Sequence, residues 1–173
     1  NKVCGAPITV DRLHLRDGYA QAVIVNSGNA NTCAANGVEL ALATCGLVAD
    51  KLGIQKEDVL PASTGVIGQP MTLTPFEKGV PLVVQELTKE PSGSLQAATA
   101  IMTTDTYPKE YAFSFTLHGK TCHLGAIGKG SGMIAPNMAT MLEFYTTDVA
   151  ISPVMLQKAL KDVVPGTYNQ MSV

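Results

Sequence analysis

Apolar positions along the chain alternate between strand-like and helical spacing. A mostly apolar, β-branched run over 19–27 predicts a buried strand. A turn rich in Gly and Asn follows at 28–32, and apolar residues at helical spacing then predict a helix over 37–52. Gly53 stands where a left-handed glycine commonly ends a helix. These positions predict a strand–loop–helix unit in the first third of the chain.

The middle of the chain predicts one more strand and two more helices. The run over 59–64 has the composition of a strand. Thr-Pro-Phe-Glu at 74–77 fits a capping box that opens a helix to about residue 87, bent or interrupted at Pro81. A short Ala-rich helix over 94–102 is expected to take its first serine as the cap. Strands and helices therefore continue to mix through this region.

The last third of the chain contains strand-like alternation and one helix. Alternating residues over 111–117, a His-Gly turn and a second run over 121–127 predict a β-hairpin. A strand over 141–147 follows, and then a helix over 152–164 that Ser-Pro opens and Pro-Gly closes. This mixture favours an α/β or α+β layered fold with a mixed sheet.

Both ends of the sequence have the pattern of chain interior. Val3, Ile8 and Val10 predict extended backbone at the start, and 171–173 has the pattern of the middle of a strand. We therefore expect an internal piece of a longer polypeptide, with further chain on both sides.

Composition argues against several classes of function. Of the 173 residues, 46% are hydrophobic and 15% are charged, which suits a packed domain or part of one rather than a disordered chain. The net charge of −2 and the low aromatic content of 5% argue against nucleic acid as a partner. No apolar run reaches the roughly 18 residues of a membrane span, and these residues contain no signal peptide. Neither nucleic acid nor a membrane is therefore expected as a partner.

The cysteines and histidines predict neither a metal site nor disulfides. Cys4, Cys33, Cys45 and Cys122 form no C-x-x-C pair, and the histidines lie at no metal-ligand spacing. Buried free thiols in a reducing compartment are expected, with Cys33 and Cys122 as core thiols rather than nucleophiles. His123 is expected to be a surface or otherwise satisfied histidine.

A glycine-rich loop that carries one lysine leads into Ala139 and Thr140. A threonine at the start of a strand, with glycines and a lysine upstream, has the layout of a self-cleaving N-terminal nucleophile. Breaking the Ala139–Thr140 bond would free an α-amine with a pKa of about 8, which suits a base that activates the hydroxyl near neutral pH. Taken alone, however, the pattern favours an ordinary glycine-rich turn entering a strand.

Four motifs stand in the same order and at similar spacing as in a known family. They are Gly-Asn-Ala-Asn at 28–31, Ala-Ser-Thr-Gly-Val-Ile-Gly at 62–68, Ile-Met-Thr-Thr-Asp-Thr at 101–106, and Lys-Gly-Ser-Gly-Met-Ile with Met-Ala-Thr-Met-Leu inside 129–142. In these motifs the sequence resembles the ornithine acetyltransferases, also called arginine biosynthesis bifunctional proteins or the ArgJ family. The resemblance covers essentially the whole chain. It implies the DmpA/ArgJ type of fold, an N-terminal-nucleophile-like α+β layered sandwich.

The resemblance also implies a reaction and a processing step. A precursor would cut itself between Ala139 and Thr140, leaving an α-chain portion, 1–139, and the start of a β chain, 140–173, in one structural domain. The family's reaction moves acetyl from N2-acetyl-L-ornithine to L-glutamate in arginine biosynthesis, through an acetyl-threonine intermediate. Whether acetyl-CoA also serves as a donor stays open.

Other expectations concern cofactors, partners and location. The resemblance implies no cofactor. It implies the rest of the β chain as a partner, in a heterotetramer of two α and two β chains. A cytoplasmic location is expected, or the mitochondrial matrix in a eukaryote.

Roles can be carried over residue by residue. Thr140 would be the nucleophile, and Thr64 and Gly65 would form the oxyanion hole. One such hydrogen-bond donor is worth ~3 kcal/mol in the transition state. Lys129 and one threonine of the Thr-Thr-Asp-Thr cluster, for which Thr103 is favoured, would bind substrate together with Thr140. A cation suits the α-carboxylate that both amino-acid substrates carry.

Plainer interpretations stay open beside these. The oxyanion pair could be an ordinary glycine turn after a strand, and Lys129 a solvated loop lysine. Asp105 is expected to cap or orient its loop, and Asn29 and Asn31 to shape a turn. For the whole chain, the alternatives are an inactive structural or precursor fragment and an acyl hydrolase on the same scaffold.

Overall fold

The structure is a computed structural model that describes residues 3–137 and 141–173. The chain divides into two compact units, Asn1–Gly93 and Ser94–Val173. The predicted division between α-chain and β-chain portions falls at the Ala139–Thr140 bond, which lies outside the described residues. No helix of the described ranges is both long and apolar enough to cross a membrane.

The first unit is built on a pair of parallel strands. In chain order it contains α1 (Ala6–His14), β1 (Ala22–Asn29), α2 (Gly37–Leu52), β2 (Val59–Val66) and α3 (Thr74–Gln85). The strands pair with Ala22 opposite Val59 and Asn29 opposite Val66. Parallel neighbours need a crossover of a dozen or more residues, and the segment containing α2 provides it.

The core of the first unit consists of small and medium-sized apolar side chains from the helices and β2. They are Val10, Ala41, Cys45, Val48, Ala49, Val59 and Val80. Two hydrogen bonds add to this packing, because the Val59 carbonyl accepts from His14 Nδ1 at 2.8 Å and from Cys45 Sγ at 3.4 Å. Burying one aliphatic side chain of this kind contributes about 1.5–3 kcal/mol. Helix α2 contributes four of these seven side chains and is therefore the central element of this core.

The second unit is built on a three-stranded antiparallel sheet. In chain order its elements are the end of α4 (Pro91–Ala100), β3 (Lys109–Leu117), β4 (Lys120–Lys129), β5 (Leu142–Thr147) and α5 (Pro153–Val163). The strand order is β3–β4–β5. His118 and Gly119 join β3 to β4 with φ angles of +48° and +76°. Positive φ at both central residues is the geometry of a type I′ turn, one of the two common two-residue hairpin turns.

Short 3₁₀ turns add to these elements. They cover Leu15–Asp17, Lys56–Asp58, Val164–Gly166 and Tyr168–Gln170.

Most of the predicted elements are confirmed. Helix α2 has the predicted bounds and ends at Gly53, which has a left-handed φ of +67°. The hairpin and strand β5 are present, and Ser152 Oγ accepts from Met155 N at 3.3 Å as the cap of α5. The mixed sheet is not observed, since the parallel and antiparallel pairs of the described residues belong to two separate sheets.

The extended start that the sequence predicts is wrong, because this segment forms α1. Val10 and His14 lie four residues apart and are both buried, whereas Ile8 is 44% exposed. A spacing of four places two residues on one helical face. The apolar residues Val3, Ile8 and Val10 suggested a strand, but this segment forms a helix that packs against β2.

Helices α3 and α4 begin at positions other than those predicted. Thr74 is already helical in α3, Leu73 is the capping residue, and no side chain caps this end, so the predicted capping box does not form. The helix also continues through Pro81. Helix α4 begins at Pro91 instead of after Ser94. Proline's fixed φ suits the first turn of a helix, which explains the earlier start.

The cysteines carry free thiols, as predicted, but they do not all lie in the core. Cys45 is buried and Cys122 is partly buried, whereas Cys4 and Cys33 are exposed. The prediction of Cys33 as a core thiol is wrong because it lies in the loop after β1, where its φ is +60°. Such connecting loops run over the surface.

The segment 171–173 contains no assigned strand, although it pairs with another part of the second unit. Val173 N donates to Ile134 O at 2.8 Å, and Ile134 N donates to Val173 O at 3.1 Å. In place of the predicted strand, this segment therefore has one pair of backbone hydrogen bonds, between Val173 and Ile134.

Candidate active site

The predicted oxyanion pair lies at the end of β2. Thr64 is 8% exposed, and Gly65 follows it with a φ of +128°. A Cβ atom on Gly65 would lie 2.2 Å from the carbonyl carbon of Gly28 on the neighbouring strand. Only glycine fits this approach of two backbones. The end of β2 therefore combines a hydroxyl with a closely held strand backbone, and hydroxyl and N–H groups are the donors of an oxyanion hole.

Asn29 and Asn31 shape the loop after β1, as predicted. Asn29 Oδ1 accepts from Asn31 N at 2.8 Å, and Asn29 Nδ2 donates to Gln69 O at 3.0 Å. Asn31 is 1% exposed, and its Nδ2 donates to Gly37 O at 2.9 Å. The two side chains thus hold the end of β1 to the segment after β2 and to the first turn of α2.

In the second unit, Thr103 and Lys129 are in direct contact. Thr103 follows α4, and Lys129 is the last residue of β4. Lys129 is 5% exposed, and its Nζ donates to Thr103 Oγ1 at 2.7 Å. Lys129 is therefore not a solvated loop lysine. No ion pair involves it within the described part of the chain. A buried ammonium without a counter-ion is costly, so this position favours an anionic ligand.

Asp105 lies at the centre of the same region, and its carboxylate has no solvent-exposed surface. Oδ1 accepts from Lys109 Nζ at 2.5 Å and from Gly130 N at 2.8 Å, and Oδ2 accepts from Thr103 N at 3.3 Å. Burial by itself would raise the pKa of this carboxyl, but the three hydrogen bonds and the Lys109 charge lower the pKa to about 2. The predicted role of Asp105 in orienting its loop is confirmed.

A second bond joins the same two loops. Thr104 Oγ1 and Ser131 Oγ are 2.7 Å apart and share a hydrogen bond. The sequence indicated both loops through their motifs, but Lys109 and the Gly130 N–H were not predicted as partners of Asp105. Gly130 lies 25 positions from Asp105, beyond the reach of a local pattern, whereas Lys109 lies only four positions from it, a spacing that could have indicated the ion pair.

His123 is a satisfied surface residue, as predicted. Its Nδ1 contacts Asp148 Oδ2 at 2.7 Å, and its backbone N donates to Asp148 Oδ1 at 2.8 Å. Both side chains are more than half exposed. This pair joins the first half of β4 to the residue that follows β5, and it has the surroundings of a structural contact.

Sequence patterns did not indicate the cluster of Glu143, Tyr145 and Tyr168. Tyr145 and Tyr168 each donate to Glu143 Oε2, and the two phenols also contact each other. Burial, followed by the Glu143 carboxylate, raises the pKa of both tyrosines. Glu143 and Tyr168 help to line a cavity of about 190 Å³ together with Ile134, Ala135, Met141 and Asn169.

Two predicted site residues lie outside the described residues. They are Ala139 and Thr140, the proposed cleavage site and nucleophile. Among the residues that the structure does describe, no group of three or more His, Cys, Asp or Glu side chains could hold a metal ion.

Comparison with known proteins decides the family. The model of the ArgJ family matches residues 1–173. The chain belongs to the ArgJ family. It is 45% identical to the arginine biosynthesis bifunctional protein ArgJ of Caldanaerobacter subterraneus subsp. tengcongensis, across 100% of this chain and 43% of that protein. It is 46% identical to the glutamate N-acetyltransferase of Methanocaldococcus jannaschii, across 100% of this chain and 44% of that protein. The chain thus spans less than half the length of these relatives.

Solved structures of ArgJ proteins confirm the fold class. The structure superposes on the ArgJ protein of Bacillus halodurans with a TM-score of 0.71 at 36% identity, covering 80% of this chain and 73% of that chain. For the ornithine acetyltransferase of Mycobacterium tuberculosis, which was solved with ornithine, the TM-score is 0.69 at 34% identity, covering 80% and 74% of the two chains. The ArgJ type of α+β fold that the motifs implied is therefore present.

Proposed function

We propose that the complete protein containing this chain is a glutamate N-acetyltransferase, which moves acetyl from N2-acetyl-L-ornithine to L-glutamate in arginine biosynthesis. The observation that carries the proposal is the buried Lys129 ammonium held by Thr103 Oγ1 at 2.7 Å. Both substrates present an α-carboxylate, and a desolvated cation beside a hydroxyl is a suitable partner for one. The names of the relatives, which include a glutamate N-acetyltransferase and an ornithine acetyltransferase, support the same reaction.

The proposed chemistry has two half-reactions. Hydrolysis of the Ala139–Thr140 amide first adds one water across the bond, which leaves a carboxylate on Ala139 and frees the amine of Thr140. Thr140 Oγ then attacks the acetyl carbonyl of acetylornithine while the amine takes the hydroxyl proton, and the proton passes to the departing ornithine nitrogen as the C–N bond breaks. The amine of glutamate next attacks the acetyl-threonine ester, and Thr140 Oγ leaves and regains its proton.

Thr64 and Gly65 are assigned to the tetrahedral intermediates of both steps. Negative charge develops on the acetyl oxygen in each, and preorganised donors stabilise it more strongly than they stabilise the ground state. The close contact between Gly65 and Gly28 supports this role, because it holds the backbone at the end of β2 in one geometry.

The proposal extends to partners and cofactors. The chain is taken to work with the rest of its precursor, in a heterotetramer of two α and two β chains in the cytoplasm. The reaction requires no metal or cofactor, since the nucleophile and base belong to one residue. A donor role for acetyl-CoA can be tested by replacing acetylornithine in the same assay.

The deciding experiment substitutes Thr140 in the complete protein. Thr140→Ala is expected to leave a single polypeptide and to abolish acetyl transfer, whereas Thr140→Ser, which keeps a hydroxyl, retains self-cleavage. Thr121→Ala, at an exposed position of β4, is the matched control and is expected to behave as wild type. Incubation with labelled acetylornithine, without glutamate, should place the label on residue 140. Cleavage and turnover by Thr140→Ala, or acetyl release that does not depend on glutamate, would refute the proposal.

A further inference from the structure

Asp105 makes contacts that combine burial, charge and backbone hydrogen bonds within the second unit. Its carboxylate is fully covered, and three donors occupy it: Lys109 Nζ, Gly130 N and Thr103 N. Two of these donors are backbone N–H groups from separate loops. Gly130 lies 25 residues from Asp105 in the sequence, and Thr103 lies 2 residues from it. A single carboxylate therefore joins the loop after α4 to the loop after β4.

The same two loops carry the residues assigned to substrate. Thr103 bonds Asp105 through its backbone and Lys129 through its hydroxyl. Gly130, the residue after Lys129, bonds Asp105 through its backbone. These hydrogen bonds form a closed circuit from Asp105 to Thr103, on to Lys129 and back through Gly130. One buried carboxylate therefore fixes the positions of the Lys129 ammonium and the Thr103 hydroxyl.

The two lysines near Asp105 are used differently. Lys109 forms the ion pair with Asp105 at 2.5 Å, and its side chain is 34% exposed. Lys129 is more deeply buried, and in the described ranges its polar contact is with the neutral Thr103 hydroxyl. Because Lys109 neutralises the carboxylate, the charge of Lys129 stays available for an external anion.

We infer that Asp105 is a positioning residue, which sets Thr103 and Lys129 at the separation that binds the α-carboxylate of the amino-acid substrate. The inference rests on the proposed function for the identity of the substrate. Asp105 itself does not touch the reacting atoms. Its effect is exerted through the two residues that it fixes.

Asparagine is the informative replacement because it has the same shape and cannot make all three contacts. With the amide oxygen at Oδ1, the amide nitrogen faces Thr103 N, so two donors meet. With the amide turned over, its nitrogen faces both Gly130 N and the Lys109 ammonium. Either orientation leaves buried donors without a hydrogen-bond acceptor, which is costly. The loops that carry these donors are therefore expected to shift until the donors find new acceptors.

The test compares Asp105→Asn with Asp148→Asn in the complete, assembled protein. Asp148 also accepts one backbone and one side-chain hydrogen bond, but it does so on the exposed His123. Asp105→Asn is expected to raise the KM for acetylornithine about tenfold with kcat within about twofold, since binding common to ground and transition states is lost. Asp148→Asn is expected to leave both constants unchanged. A purely structural role would lower kcat per mole of protein through loss of folded enzyme and leave KM unchanged, and that result would overturn the inference.

A second measurement separates this inference from the proposed function. Hydrogen exchange of peptides containing Thr103 N and Gly130 N is expected to be faster in Asp105→Asn than in wild type, and unchanged in Asp148→Asn. If wild type transfers no acetyl group, the proposed function fails, whereas unchanged exchange at both amides would overturn the positioning role by itself. If Asp105→Asn does not fold, Asp105→Glu keeps the charge and moves the carboxylate by one methylene. That variant is expected to raise KM as well, and a wild-type KM for it would contradict the inference.

Discussion

The two units hold their candidate site residues by different physical means. In the first unit, Gly65 is fixed by steric contact with Gly28, beside a core of aliphatic side chains. In the second, Thr103 and Lys129 are fixed by hydrogen bonds that converge on the buried Asp105. In the first unit the position of the site residue depends on how much space the backbone leaves. In the second unit it depends on the charge of Asp105 and on the number of hydrogen-bond donors around it.

A comparison of two carboxyls, the partly buried Asp11 and the buried Asp105, shows the difference most clearly. Asp11 in α1 has a buried Oδ1 without a hydrogen-bond partner among the described residues. Burial raises the pKa of this carboxyl to about 6, although the nearby His14 charge lowers it. Asp105 has three donors, which overcome burial and hold its pKa at about 2. Burial alone therefore does not determine the charge of a carboxyl, and the supply of donors decides it.

The largest expected effect comes from adding a methyl group to the steric contact. Gly65→Ala should lower the free energy of unfolding by at least about 3 kcal/mol, because its Cβ would overlap the backbone of β1 and force the strand pair apart. Gly28→Ala is the matched control, since a Cβ there meets nothing within 4 Å. It should cost only about 1–2 kcal/mol of backbone strain. Denaturant unfolding of both variants measures the difference, and equal losses would show that the contact between the strands is not what fixes Gly65.

The next effect separates binding from stability in the second unit. Lys129→Met should raise the KM for acetylornithine at least tenfold, or about 1.4 kcal/mol, because the cation that faces the carboxylate is lost. Its thermal stability should be unchanged or higher, since a buried charge is replaced by an apolar chain of similar volume. Lys109→Met should behave in the opposite way, losing about 1–3 kcal/mol of stability, because it leaves Asp105 without its counter-ion. If both variants lost the same stability, the division of roles between the lysines would be wrong.

The smallest effect depends on pH. The pKa of Asp11 is higher in the folded than in the unfolded protein, where it is about 3.9. Its protonated form therefore favours folding below pH of about 4, and that contribution is lost as pH rises through about 6. After allowance for solvent screening of a partly exposed group, Asp11→Asn should be about 1 kcal/mol more stable than wild type at pH 7 and equal to it at pH 4.

Asp105→Asn, in contrast, should be less stable than wild type at pH 7. The pKa of Asp105 lies below the unfolded value, so the contribution of Asp105 is present above pH 4 or so and is lost as pH falls through about 2. Denaturant unfolding across pH measures both differences. Parallel curves for the two variants would contradict the contrast between the carboxyls.

Local signals in the sequence predicted the elements that depend on local interactions. The end of α2 at Gly53, the His118–Gly119 turn and the Ser152 cap were predicted from residue types at fixed positions, and all three are present. Helix α1 was missed because its packing against β2, with His14 bonded to Val59, joins residues 45 positions apart.

The candidate site shows the same limit. Its motifs indicated Thr103 and Lys129, and their contact is observed, but the roles of both remain predictions. The carboxylate that holds them was predicted only to orient its own loop. Its bond to Gly130 joins two loops 25 positions apart, which no local spacing reveals, whereas its partner Lys109 lies only four positions away and was overlooked.

Cys45 gives the first unit a chemical reporter of its own opening. Its thiol is 0% exposed, and burial, followed by the charge of Asp11, raises its pKa to about 12. Alkylating reagents need the thiolate, so this sulfur stays silent while the core is intact. Cys4 and Cys33 are exposed and stay accessible in the native state. With Cys4, Cys33 and Cys122 changed to serine, the rate of Cys45 labelling would follow the opening of this unit.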